Sequence, residues 1–113
     1  MIDVSVLKVL FDDDVMIRKY LGVFRGDVPT SLYELRESIK NLDWDNASIT
    51  AHSLKSQLQY LKEDEVSKLA YEIEKRCEDP NQLNGEELHK ILEDMADQLQ
   101  SIVIKIDSYL SSN

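Results

Sequence analysis

Asp45-Asn46-Ala47-Ser48-Ile49-Thr50-Ala51-His52-Ser53-Leu54-Lys55-Ser56 reads as a helix with two unlike faces. At about 100° per residue, Trp44, Ala47, Ala51, Leu54, Leu58 and Leu61 line up as one narrow apolar stripe. His52 points roughly 125° away from the centre of that stripe. Lys55 and Ser56 lie one turn further on, at i+3 and i+4, within side-chain reach of the ring. The spacing therefore predicts a helix that buries one edge and displays an imidazole on the other.

The same periodicity extends in both directions. Upstream, Asp3 is positioned to cap a short helix with Val4, Leu7 and Leu10 on one side. Asp12, Asp13 and Asp14 supply caps and favourable charge for a second helix. Ile17, Tyr20, Phe24, Val28, Leu32, Leu35, Ile39 and Leu42 hold helical spacing along it. Gly26 and Pro29 interrupt that run, yet the stripe keeps its phase across them. One long helix kinked near Pro29 is expected. Asn41 to Asp43 make a short connection, Asp43 caps the helix of His52, and that helix ends near Lys62.

Downstream, Asp64 is expected to cap a fourth helix with Val66, Leu69, Ala70, Ile73 and Cys77 on its apolar side. Glu78 to Gly85 is the clearest loop. A last helix carries Leu88, Ile91, Leu92, Met95, Leu99, Ile102, Val103, Ile106 and Leu110, and Ser111-Ser112-Asn113 should fray. No strand alternation, internal repeat or low-complexity segment is visible. Four one-sided helices with short connections predict an all-α, up-and-down antiparallel four-helix bundle with a short additional N-terminal helix. One domain over residues 1–113 is expected from the length.

The composition narrows the function. With 13 Lys and Arg against 22 Asp and Glu, the net charge is −9, and no basic run appears. Nucleic acid and anionic membrane surfaces are poor partners for such a chain, because its field repels both. No apolar run approaches the roughly 20 residues that cross a bilayer. The amino terminus lacks the basic and apolar regions of a signal peptide, and the single Cys77 fits a reducing compartment. A cytoplasmic location follows as an expectation. Cys77 lies on an apolar stripe and reads as a buried, inert thiol.

A neutral, exposed histidine offers a free ring nitrogen as nucleophile or base. Lys55 would favour an anion there, such as a phosphoryl group on the ring, and Ser56 and Ser48 could hydrogen-bond its oxygens. The plainer alternative is one more solvated helix residue. Metal binding has no support in spacing: there is neither H-x-x-x-H nor C-x-x-C. His89 reads as a surface histidine among Glu86, Glu87 and Glu93. No serine or cysteine sits on a glycine elbow, and no glycine loop cradles phosphate, so ATP-dependent chemistry within this chain is not expected. No cofactor is implied.

Leu42-Asp43-Trp44 followed by Ala51-His52-Ser53-Leu54-Lys55-Ser56 resembles the core motif of the histidine-containing phosphotransfer (HPt) domain. That motif is a helical A-H-x-L-K-G, often preceded by a Gly-Asp-Trp-like turn. Phe24, Pro29, Leu32, Leu35 and Ile39 resemble the family's long second helix, and Leu69, Ala70, Ile73 and Glu74 its fourth. The resemblance implies that His52 accepts a phosphoryl group from receiver-domain aspartates and that Lys55 stabilises its charge. It implies a phosphocarrier, not a kinase, in two-component signalling. The receiver would bring its aspartate and a magnesium ion.

The partners implied are a response-regulator receiver domain, a hybrid sensor histidine kinase, or both, and a monomer is expected. Ser56 stands where the family has glycine, Gln59 where it keeps small residues, and Lys62 near another usual glycine. Gln59 could crowd a docking receiver or hydrogen-bond phosphoryl oxygens. These departures leave open a second reading, a degenerate HPt-like bundle that binds a receiver or kinase domain without being phosphorylated.

Overall fold

Side-chain caps start most of the long helices where the sequence places them. In a computed structural model describing residues 1–112, Asp13 accepts the Met16 amide at 2.9 Å and opens α2, Asp14–Lys40. Asp43 accepts from Asn46 at 3.2 Å and opens α3, Trp44–Tyr60. Asn84 accepts from Glu87 at 3.0 Å and opens α5, Gly85–Ser111. The helix between, α4, spans Asp64–Glu78, and its cap position is Glu63, without a side-chain cap bond. Asp64 is thus the first residue of α4 and not its cap. Ahead of them α1 covers Ser5–Leu10, with Asp3 accepting the Ser5 amide at 2.8 Å.

Pairs between neighbours fix the directions of the four long helices. Arg18 of α2 donates to the carbonyls of Leu110 and Ser112, while Arg25 pairs with Asp107 and Arg36 with Glu93. As α2 ascends, its partners on α5 descend. Asn46 donates to Ser38, and the Tyr20 hydroxyl donates to the Gln57 carbonyl, so α2 and α3 are antiparallel. Ser67 bonds Lys55 and Glu74 bonds His52, which opposes α3 and α4. Arg76 with Glu87, and Glu65 with Gln98, do the same for α4 and α5. The result is the expected up-and-down four-helix bundle, with α5 closing the ring against α2.

The core runs through the centre, with Leu21, Leu35, Ala51, Leu58, Leu61, Ala70, Ile73, Met95 and Leu99 fully buried. Both α2 and α5 have 27 residues, about 40 Å, whereas α3 and α4 have 17 and 15, about 25 Å. The α3–α4 hairpin therefore leaves one end of the longer pair uncovered. The amino-terminal segment fills that gap by burying Ile2, Val4 and Leu7. Leu10, expected on the same side as Val4 and Leu7, is instead 54% exposed.

Helix α2 runs unbroken through Pro29. The proline lies on its exposed side, as does Arg25, whose carbonyl it cannot serve. The last loop is shorter than the sequence implied, because α4 includes Glu78 and a single 3-10 turn, Pro80–Gln82, lies before α5. Ser111 and Ser112 are tied down by their hydroxyl bonds and by Arg18, contrary to the fraying expected of them. Asn113 lies outside the described residues.

The two turns flanking α3 share an unusual feature. After α2, the Leu42 amide reaches the Ile39 carbonyl at 3.1 Å and the Asp43 amide the Ser38 carbonyl at 2.8 Å. After α3, Lys62 and Glu63 repeat the pattern onto Gln59 and Leu58, both at 3.1 Å. These are Schellman motifs, whose C′ residue must be left-handed and is usually glycine. Here Leu42 has φ 60° and Lys62 φ 53°. Leu42, read as the end of the α2 stripe, accordingly turns out of the core and is 68% exposed. A side chain in the left-handed region costs about 1–2 kcal/mol, partly offset by glycine's greater unfolded-state entropy. Lys62→Gly is expected to raise the unfolding free energy by about 0.5–1 kcal/mol, read from urea denaturation. A neutral or destabilising result would show that the turn is unstrained.

Candidate functional site

Small residues on α3 and α4 create the site. Ala47, Ala51 and Ala70 are fully buried and let the two helices pack closely. Ser67, 5% exposed, donates to the Lys55 carbonyl at 3.2 Å and pins the two helices together. That packing sets Glu74 of α4 against the outward residues of α3. His52 keeps 57% of its side chain exposed, as the helical wheel requires.

Glu74 is the group that organises them. Its residue is 8% exposed, and its Oε2 lies 2.9 Å from His52 Nδ1. Its other oxygen, Oε1, is fully buried and sits 3.3 Å from Lys55 Nζ, an ion pair without hydrogen-bond alignment. An ionised carboxylate only accepts, so the neutral ring must carry its proton on Nδ1. The Nε2 lone pair is then left unprotonated on the opposite side of the ring, away from Glu74. One buried acid thereby fixes both the tautomer and the orientation of an exposed imidazole.

Lys55 is held from two sides. Its ammonium lies 5.2 Å from the centre of the Tyr71 ring, which also carries Lys75 at 5.4 Å on its surface. Lys75 is paired with Glu78 at 3.1 Å. The structure brings His52 and Lys55 together through Glu74, not by direct contact. Ser48 and Ser56 are half-buried one turn before and after the ring. Gln59 is exposed two turns on, about 10 Å along the axis, in a groove with Lys55, Asp64, Ser67, Lys68 and Tyr71. Ile49, one turn before His52, is 68% exposed and adds an apolar group to this face.

Other candidates lie elsewhere. Cys77 is 2% exposed, and burial pushes its thiol up to about 11, as expected of an inert core cysteine. His89 is exposed near the start of α5, remote in sequence and element from this cluster. No helix among the described residues is long and apolar enough to cross a membrane.

The sequence reading missed Glu74 as a site residue. Its signal was positional: it follows Ile73 and stands four residues after Ala70 and three before Cys77, all buried. A carboxylate on the border of an apolar arc, next to the buried Ala70 and Ser67, needs a partner.

Comparison with protein families gives a match to the Hpt domain over residues 19–102, which spans most of the chain and includes every residue of the cluster. The chain belongs to the Hpt domain family, whose members serve phosphotransfer in two-component signalling. Neither the curated proteins nor the solved structures gave a match.

The geometry makes a direct claim about the ring. In the neutral form, the ¹⁵N spectrum of His52 should show a protonated Nδ1 and a bare Nε2, and Glu74→Ala should shift the balance toward a mixture. A ring already dominated by the Nε2–H tautomer in the unaltered protein would contradict the Glu74 contact.

Proposed function

We propose that this member of the Hpt family is a phosphocarrier that shuttles a phosphoryl group between receiver-domain aspartates and His52. The observation that carries the reading is the Glu74–Nδ1 contact, which leaves an unprotonated Nε2 facing solvent. In the transfer, Nε2 attacks the phosphorus of a receiver's aspartyl phosphate. The N–P bond forms as the P–O bond breaks, and the aspartate leaves with the bonding pair as a carboxylate. Positioning and charge are what the bundle has to supply, since the acyl phosphate is already activated.

Each neighbour has a part in this reading. Lys55 offsets the charge on the phosphoryl group, swinging to it from the carboxylate that it shares with the ring. Ser48 and Ser56 flank the ring as hydrogen-bond donors to phosphoryl oxygens. Gln59 stands too far along the helix for that contact and belongs to the surface that a receiver covers. Ile49 supplies an apolar contact for the same partner. The chain acts as a single domain and a monomer in the cytoplasm, with a receiver domain, a hybrid sensor kinase, or both as partners.

The second reading, binding without phosphorylation, draws on Ser56, Gln59 and Lys62, the last of which lies in the turn after α3. None of them obstructs the ring in this geometry: Ser56 is small and half-buried, Gln59 is two turns away, and Lys62 lies beyond the end of α3. The two readings separate cleanly in one experiment. Phosphorylated receiver domains should label the protein with acid-labile phosphate, and His52→Gln should abolish that label. Lys55→Ala, verified as folded by its melt, should slow transfer about tenfold or more, the loss of one charge-assisted contact of about 1.5–3 kcal/mol. Undiminished label in His52→Gln would end the phosphocarrier reading. Absence of label from a folded wild-type protein that still binds the receiver would favour the second.

A further inference from the structure

The partner of Nδ1 is a carboxylate, and this constrains the phosphorylated state as well as the free one. Forming the N–P bond uses the lone pair of Nε2 and removes no proton from the ring. The immediate product is therefore a phosphoimidazolium, with Nδ1 still protonated. On a solvated ring that proton is free to leave. Here its departure would set a bare Nδ1 lone pair 2.9 Å from a carboxylate oxygen, two acceptors face to face. Glu74 is nearly buried and cannot turn to water for a replacement.

Charge favours the same outcome. With Glu74, Lys55, a doubly charged phosphoryl group and a protonated ring, the cluster sums to about −1; loss of the proton would take it to about −2. Among the described residues, the ionisable groups that touch the ring or its partners all come from α3 and α4. They are Glu74 and Lys55, then Tyr71, Lys75 and Glu78 further out. Helix α2 packs on the other flank of α3 and makes no hydrogen bond or ion pair to them.

We propose that Glu74 holds the Nδ1 proton on the phosphorylated ring, so that phospho-His52 persists as a phosphoimidazolium and gives up its phosphoryl group readily. Glu74 is a positioning residue that acts through His52, and the inference rests on the reading of His52 as acceptor. A protonated imidazole leaves as a neutral group when the N–P bond breaks, with the bonding pair returning to Nε2. The domain then serves as a fast relay and not as a store. Replacing Glu74 by glutamine keeps the shape but changes the outcome, because an amide N–H can donate to a deprotonated Nδ1.

The test uses the full chain phosphorylated by phosphoramidate, a small-molecule donor that needs no receiver. The decay of phosphohistidine is followed from about pH 6 to pH 9 in wild type and in Glu74→Gln. In wild type, the fast decay of the protonated form should extend about one pH unit or more further into alkali than in the variant. At about pH 8 the wild-type phosphoprotein should decay several-fold faster. Superimposable profiles would overturn the inference while leaving His52 as the acceptor. An ¹⁵N spectrum of phosphorylated wild type at the same pH is a second reading that does not depend on the variant's folding. A proton on Nδ1 supports the inference, and a bare Nδ1 overturns it. Failure of the folded wild type to take label on His52 from either phosphoramidate or a receiver would instead remove the acceptor reading, and this inference with it.

Discussion

A buried carboxylate has to be matched, and most of what is distinctive here follows from how Glu74 is matched. Left alone in the α3–α4 interface it would cost several kcal/mol. Two outward residues of α3 meet it, one with a ring N–H and the other with an ammonium. The fold thus uses for this match His52 and Lys55, the two residues to which the proposed function gives the phosphoryl chemistry. On the proposed reading, stability and phosphotransfer share one contact, and a substitution at any of the three residues disturbs both. It is therefore necessary to verify folding before reading any kinetic loss at this site.

The rest of the bundle makes that contact possible. Arginines spaced along α2 tie it to α5 and give a rigid pair about 40 Å long. Within the shorter hairpin, α3 and α4 pack on each other through alanines, close enough for a glutamate to reach across. Schellman turns stop both α2 and α3 sharply, at the cost of placing Leu42 and Lys62 in the left-handed region. The amino-terminal segment covers the end that the hairpin leaves open. The face around His52 carries two half-buried serines, with Asp45, Gln59 and an exposed isoleucine further out. Such an open face suits the receiver docking of the proposed function better than the enclosure of a small substrate.

The bundle was legible in the sequence because its helices are long and their stripes keep phase, even across Pro29. His52 and Lys55 were legible because a wheel drawn on Ala47, Ala51, Leu54 and Leu58 leaves them outside. Glu74 was not recognised, since on the page it is one acid among several on α4, and its partner comes from another helix. Its place on the border of the apolar arc, one turn from Ala70, was the available sign. Leu42 misled for the opposite reason: its spacing continues the α2 stripe, and no glycine warns that the backbone turns over there. Asp64 read as a cap because it is an acid at a helix start, whereas the turn at Lys62 and Glu63 sets where α4 begins. Contacts between helices, and backbone reversals without glycine, are what periodicity cannot report.

The most direct test asks which atom bears the phosphorus. A ¹⁵N-labelled sample phosphorylated through a receiver domain should show coupling between phosphorus and Nε2 of His52, because Nδ1 is engaged by Glu74. Coupling to Nδ1, or phosphorus bonded to a serine oxygen and to no nitrogen, would contradict the account.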